Sequence, residues 1–262
     1  TLESDKYVVV RETLPNGLTQ LVVIDTAKPK VPTRKPVQAT MAVMNPSQPV
    51  IALLFANGIQ LFDMGKKTQL KVCKMTENVL FMKWVGVNTL GIVTLQSVYH
   101  WRLDDASTDP IKVFDKHESM MKTQLISYRA DPEGNWMALV GIAQSATTGQ
   151  VKGQIQLFSK EKNLTQMIEG HAAVFCSFRY EGNDVVLFVF VAKAEKGNAS
   201  KLHVIQLGET TPPFGKKMCD VFYPAEAAGD YPVGIVGSSK YKSIVYLVTK
   251  MGYVHIYDIE HS

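Results

Sequence analysis

The residues that could do chemistry are dispersed along the chain. A serine nucleophile needs a base beside it and a sharp turn to present it. The nearest approach to a G-x-S-x-G elbow is VGSSKY at Val236 to Tyr241, which lacks the second glycine. His100, His117, His171, His203, His255 and His261 fall at no metal-ligand spacing such as H-x-x-x-H. His171, in EGHAAVF, reads as a hydrogen-bonding group between strands rather than a base. Asp63, Asp115 and Asp258 each close an apolar run, where a carboxylate shapes a turn. Cys73, Cys176 and Cys219 are far apart and form no C-x-x-C pair, which argues against a zinc site or a disulfide framework and for a reducing compartment. Neither G-x-G-x-x-G nor G-x-x-x-x-G-K-[ST] occurs, so no phosphate cradle is indicated. The sequons at Asn163 and Asn198 match glycosylation acceptors in pattern only. The expectation is a protein that is not an enzyme, with no metal and no cofactor.

What does cluster is charge. Lys28, Lys30, Arg34 and Lys35 precede one apolar run, and Lys66, Lys67, Lys71 and Lys74 surround another. Both groups flank a segment containing Val37, Ile51, Gln60 and Phe62. An apolar groove with lysines on its rim suits an extended peptide that alternates apolar and acidic residues. The net charge of +4 over 262 residues is too small to make nucleic acid the expected partner. With 46% hydrophobic and 20% charged residues the chain has enough apolar surface to build a core, which excludes disorder. The longest apolar run, Val185 to Ala192, falls far short of the roughly 18 residues of a membrane span, so no direct membrane insertion is expected. The opening TLESDKYVVV has neither methionine nor leader and reads as a piece cut from a longer protein.

The elements that must position these residues are strands. Short runs rich in valine, isoleucine, phenylalanine and tyrosine recur between clusters of glycine, proline, asparagine and aspartate, about 21 in all. Examples are Gly58 to Asp63, Thr68 to Cys73, Thr89 to Thr94 and Ile111 to Asp115. One member recurs, as in QLFD, YHWR, QLFS and HIYD, ending near Asp25, Asp63, Leu103, Ser159, Leu207 and Asp258. That spacing is close to the roughly 40 to 50 residues of a four-stranded propeller blade. The fold expected is all-β, a β-propeller of about five to six blades forming one domain over residues 1–262. The first group shows two strands and the last three, so both terminal blades are expected to be incomplete.

ESDKYVVVRE, AVMNPSQPVIAL, VYHWRL, GQIQLFSKEKNLTQMIEGHAAVF, FYPAEAAGDYPV and TKMGYVHIYDIE, in that order, closely resemble the amino-terminal domain of the clathrin heavy chain. The resemblance implies a seven-bladed propeller without the WD signature, begun about thirty residues late and ended before its last blade closes. It implies a docking hub in coated pits and vesicles, on the cytoplasmic side, that captures short motifs in the tails of adaptor and accessory proteins. Light chains and other heavy chains would bind through segments outside this chain.

Three grooves follow from the resemblance. The clathrin-box groove, between the first two blades, is matched by Lys35, Val37, Ile51, Gln60, Phe62 and Lys67. Lysine stands here for the usual arginine and valine for isoleucine, while Gly58 replaces a threonine and Gln69 a rim lysine. A W-box pocket is matched by Gln124 and Ile126, its aromatic partner expected before Thr1. An arrestin-type groove between the fourth and fifth blades is matched by Trp136, Leu157, Lys162, Leu164, Gln166 and Ile168. The alternative is a divergent paralogue that keeps the propeller for structure, its grooves altered at Gly58 and Gln69.

Overall fold

The computed structural model describes residues 4, 6–144, 149–193, 199–208, 214–227 and 229–261. The chain forms two compact units, Thr1–Lys116 and His117–Ser262. Within each, sequence neighbours pair antiparallel into small sheets.

Unit one holds three sheets. The first comprises β1 (Tyr7–Thr13), β2 (Thr19–Asp25) and β3 (Thr33–Pro36). The second comprises β4 (Met41–Met44), β5 (Val50–Phe55), β6 (Gly58–Asp63) and β7 (Thr68–Cys73). The third comprises β8 (Val79–Trp84), β9 (Thr89–Thr94), β10 (Ser97–Arg102) and β11 (Ile111–Asp115). Unit two holds the fourth sheet, β12 (Gln124–Ala130), β13 (Trp136–Gln144), β14 (Val151–Ser159) and β15 (Leu164–Glu169). Its fifth sheet comprises β16 (Ala172–Tyr180), β17 (Asn183–Lys193), β18 (Ala199–Gln206) and β19 (Lys216–Phe222). The sixth comprises β20 (Pro232–Gly237), β21 (Ile244–Thr249) and β22 (Val254–Asp258). No helix among the described residues is long and apolar enough to cross a membrane.

Side-chain alternation explains how these sheets share cores. In β5, Val50 and Ala52 pack toward the third sheet with Ile59 and Leu61, whereas Ile51 and Leu53 pack toward the first with Val9 and Leu21. A strand buried on both faces reads as a continuous apolar run, which is what VIALLF is. Unit two repeats the plan, with one core between its fourth and fifth sheets and another between its fifth and sixth.

Gly58 to Asp63, Thr68 to Cys73, Thr89 to Thr94 and Ile111 to Asp115 form strands with the expected limits. The first group corrects the sequence reading, for it has three strands rather than two. TRKP is charged, carries a proline and is exposed throughout, so β3 shows no apolar alternation, and Arg34 and Lys35 lie on a strand rather than before one. Turn carboxylates behave as expected at Asp63, whose Oδ1 accepts from the backbone N–H of Gly65 and Lys66 at 2.8 and 3.0 Å. All three cysteines are free, and burial pushes the Cys73 and Cys176 thiols up to about 11. Ser238, within VGSSKY, accepts a hydrogen bond from the Tyr241 backbone N–H at 3.0 Å and so shapes a turn. Asn163 lies in the β14–β15 turn at φ 46°, and Asn198 lies outside the described residues.

Lysines also tie elements together. Lys71 was expected beside the apolar groove, but it lies on the other face of its sheet. Its Nζ donates to the carbonyls of Arg102 at 2.7 Å, Ser107 at 2.9 Å and Asp105, pinning β7 to the loop after β10. Lys217 makes the corresponding bond from β19 to the Glu260 carbonyl after β22. Lys71→Met removes a charged donor from three carbonyls and is expected to lower stability by about 1 to 3 kcal/mol, read as a lower urea midpoint.

His171 is buried, and its Nε2 lies 3.0 Å from the Val151 carbonyl, which fixes the N–H on that nitrogen and leaves Nδ1 sealed without a partner. Burial holds its pKa below the ordinary histidine value, opposed by the bond to Val151 and reinforced by Lys193. The unfolded chain therefore binds the proton more readily, and the histidine's contribution is complete above its unfolded pKa and lost as the pH falls toward the folded one. The urea midpoint is expected to drop between about pH 7 and about pH 5, and to drop less in His171→Gln.

Candidate functional site

The first groove is built between the first and second sheets. Pairing register decides which side chains share its wall, because directly opposed residues point to one face. On the second sheet the rows are Met44, Ile51, Phe62 and Gln69, then Ala42, Leu53, Gln60 and Val72. On the first sheet, Lys35 lies opposite Leu21 on the face that carries Val9 and Val23 toward the second sheet. Val37 continues the ladder beyond β3, since its N–H donates to the Thr19 carbonyl at 3.0 Å and its own carbonyl accepts from the Thr19 hydroxyl.

Val37, Ile51 and Phe62 therefore meet in one apolar cluster, half-buried at Val37 and Phe62 and sealed at Ile51, which is 2% exposed. Ile51 is floor, beneath the surface a ligand would touch. Gln60 is half-buried on the same wall, and Lys35 is exposed. Lys67 is exposed in the β6–β7 turn at φ 59°, held by the Asp63 turn bonds. Gln69 stands opposite Phe62 and is exposed, so this rim position is neutral. Sequence reasoning missed Leu53 and Val72, which flank Gln60 on this wall. Two-residue alternation from Ile51 finds Leu53, but Val72 needs the bulge between Leu61 and Phe62 to be known.

Gly58 adopts φ 146°, and a Cβ there would lie 2.0 Å from the Cys73 carbonyl oxygen. The backbone of β7 occupies the space a side chain at 58 would need.

The other expected residues fall in unit two. Gln124 is the exposed first residue of β12, and Ile126 sits at a register shift between Leu125 and Ser127. That bulge puts Ile126 in the apolar cluster between the fourth and fifth sheets, together with Trp136, Leu157 and Ile168, so residues expected in two separate sites share one core. Leu157 is 4% exposed and forms floor, like Ile51. Gln166 pairs with Leu157, and Leu164 with Ser159, which carries the same face outward to exposed positions. Lys162 is exposed in the β14–β15 turn. Facing them on the fifth sheet are Phe188, Phe190 and Ile205, which sequence reasoning did not assign to this groove. A separate hollow of about 620 Å³ lies near Lys122, Thr123 and Gln154 and contains none of the expected residues. Asp258, Glu260 and His261 bring ligand atoms within 4.8 Å of one another, but Asp258 already accepts from the Glu260 N–H and lies 2.9 Å from the exposed His261 Nδ1.

Repeated antiparallel sheets, most of them four-stranded, with apolar cores between neighbours in each unit make this a β-propeller protein. The β-propeller domain of Cps50 (Swd1) from Myceliophteria thermophila matches over 99% of this chain and 84% of its own, with a TM-score of 0.51 at 7% identity. The β-propeller domain of the trilobed protease from Pyrococcus furiosus matches over 97% and 78%, with a TM-score of 0.54 at 12% identity. No family model matches the chain. Clathrin heavy chains of Dictyostelium discoideum and Drosophila melanogaster are 42% and 43% identical over 261 and 265 residues, and human clathrin heavy chain 2 is 42% identical over 265, each over 99% of this chain. The chain is a homologue of the clathrin heavy chains, and it spans about 15% of their length.

Threonine at position 58 is the residue the resemblance led one to expect, and the backbone here has no room for it. Gly58→Thr is expected to cost about 1 to 3 kcal/mol, from the left-handed-side φ and the carbonyl clash together. A urea midpoint equal to that of the parent would show that β6 and β7 reseat freely around the new side chain.

Proposed function

We propose that residues 1–262, as a single domain, are a docking module of a clathrin-type coat that captures short extended peptides from adaptor and accessory proteins at the cytoplasmic face of coated pits and vesicles. The observation that carries this reading is the convergence of Val37, Ile51 and Phe62 in one half-open cluster, with exposed Lys35 and Lys67 beside it. An apolar floor accepts leucine-like side chains, Gln60 offers both hydrogen-bond donors and an acceptor to a peptide backbone, and the lysines favour acidic residues. The sequence similarity to clathrin heavy chains supports the coat role. Such a module needs neither cofactor nor catalytic group, and light chains and other heavy chains bind elsewhere in the longer protein.

A short motif buries less than the roughly 1,200 Å² of a stable interface, so each contact is weak. Repeated motifs meeting many modules in a coat raise the avidity by about 10² to 10⁴ and leave the assembly reversible. The second reading, a structural paralogue with vestigial grooves, is favoured by the neutral Gln69 and the side-chain-free Gly58.

Titration with a fluorescent peptide of leucine-apolar-x-apolar-acidic pattern separates the two. Saturable binding that disappears with the peptide's anchors changed to alanine, and falls at least about tenfold in Gln60→Ala/Phe62→Ala, supports docking. Binding unaffected by that double substitution, or none by a folded domain, supports the structural reading.

A further inference from the structure

The two grooves are built on one plan. In the second sheet, the third strand buries Ile59 and Leu61 on one face and presents Gln60 and Phe62 on the other. In the fifth sheet, β18 buries Leu202 and Val204 on one face and presents His203 and Ile205 on the other. The rows then correspond position for position. Leu53, Gln60 and Val72 lie in register in the second sheet, and Phe190, His203 and Met218 in the fifth. Leu53 and Phe190 are 8% and 6% exposed, while Val72 and Met218 on the outer strands are 56% and 50% exposed. In the next row, Ile51, Phe62 and Gln69 correspond to Phe188, Ile205 and Lys216.

The polar members differ between the two. Where the first groove has neutral Gln60 and Gln69, the second has His203 and Lys216. His203 stacks on Phe190 with ring centroids 4.7 Å apart and planes 8° from parallel, and its Nδ1 is sealed without a hydrogen-bond partner. The charged groups around it are Lys216 on β19 and Lys201 on β18, the latter 3.8 Å from Asp220. On the facing sheet, Leu157, Gln166 and Ile168 carry no charge, Arg129 on β12 lies in the row of Ala138, Leu157 and Gln166, and the adjoining β14–β15 turn holds Lys160, Glu161 and Lys162. The groove is thus net cationic, its acids being Asp220, already shared with Lys201, and Glu161, which has a lysine on either side in sequence.

We propose that His203, Met218 and Lys216 are the specificity-determining wall of the groove between the fourth and fifth sheets, that this wall takes an extended peptide whose carboxylate lies beside His203 and Lys216, and that capture strengthens as the pH falls. The proposal rests on the docking function above. Burial and the two lysines disfavour the charged imidazole and hold its pKa below the ordinary histidine value. A peptide carboxylate brought beside it favours the charged form, so binding takes up a proton and the affinity rises with acidity. Met218, opposite the histidine and half-exposed, offers an adaptable apolar contact to the neighbouring peptide side chain.

The test uses the 262-residue chain carrying Gln60→Ala and Phe62→Ala, so that the first groove is disabled, and a fluorescent peptide alternating leucine and aspartate. Affinity is expected to rise about three- to tenfold from about pH 8 to about pH 6. His203→Gln, which keeps a polar side chain but cannot titrate, is expected to remove that rise. Lys216→Glu, at an exposed position that should not disturb folding, is expected to weaken binding about fivefold or more at both pH values. Met218→Ala is expected to weaken it with the pH response intact. An unchanged pH response in His203→Gln, or unchanged affinity in Lys216→Glu, overturns the proposal. Binding by the parent chain that vanishes entirely in the disabled background overturns this inference alone. No binding by the parent overturns the docking function with it.

Discussion

Burial of both faces of each sheet's inner strands is the constraint on which the rest of this structure depends. β5, β13 and β17 are sealed along most of their length, whereas β7, β15 and β19 are largely exposed. Each interface between neighbouring sheets within a unit therefore grades from a dry apolar floor to a wet rim. A strand such as β6 must then serve two interfaces at once. Its Ile59 and Leu61 are 0% exposed in the core with the third sheet, and Gln60 and Phe62 on the reverse side are only half covered. The groove needs no separate construction, because it is the uncovered end of a packing interface.

Lysines divide their work along the same geometry. Lys67 and Lys71 belong to one hairpin, yet the first is exposed in the turn and the second spends its ammonium on three loop carbonyls. A cation that satisfies backbone carbonyls has no charge-assisted donor left for a ligand, so Lys71 belongs to the scaffold and Lys67 to the surface. Lys217 likewise turns toward the scaffold, its ammonium bonded to the Glu260 carbonyl and over the Phe214 ring, beside Lys216 at the rim. Adjacent residues on an outer strand point to opposite faces, and that alternation separates holding the fold from meeting a partner.

Much of this was legible in the sequence, and the rest failed for identifiable reasons. β6 and β7 could be read to the residue because GIQLFD and TQLKVC alternate and are bounded by turn residues. β3 could not, because TRKP pairs through its backbone alone and buries nothing. Residues singled out by resemblance do converge, Val37 with Ile51 and Phe62, and Trp136 with Leu157 and Ile168. Ile51 and Leu157 nevertheless turn out to be floor, since depth along an interface is set by the neighbouring sheet and not by the strand's own pattern. The fifth-sheet wall was invisible for a related reason. Which strand faces which groove is a matter of register and sheet order, and His203 in KLHVIQL carries no local mark of either. Gly58 was noticed as a departure, but only the carbonyl of Cys73 explains it.

The correspondence between the two grooves has a consequence for how such a protein can change. Residues that fix the fold lie on one face of β6 and β18, where Ile59, Leu61, Leu202 and Val204 are 0 to 1% exposed. Those the proposed docking function assigns to a ligand, Gln60, Gln69, His203 and Lys216, lie on the other face or on the outer strand, where they are half-buried or exposed. Under the proposed docking function, the apolar floor supplies affinity without direction and these few polar positions decide which flanking charge is accepted. Two rims that differ at these positions, glutamines in one and histidine with lysine in the other, can therefore diverge in preference on equivalent scaffolds. Substitution at Gly58 does not share that freedom, because its backbone serves the ladder with β7, and any side chain there has to be reconciled with the fold before it can contribute to binding.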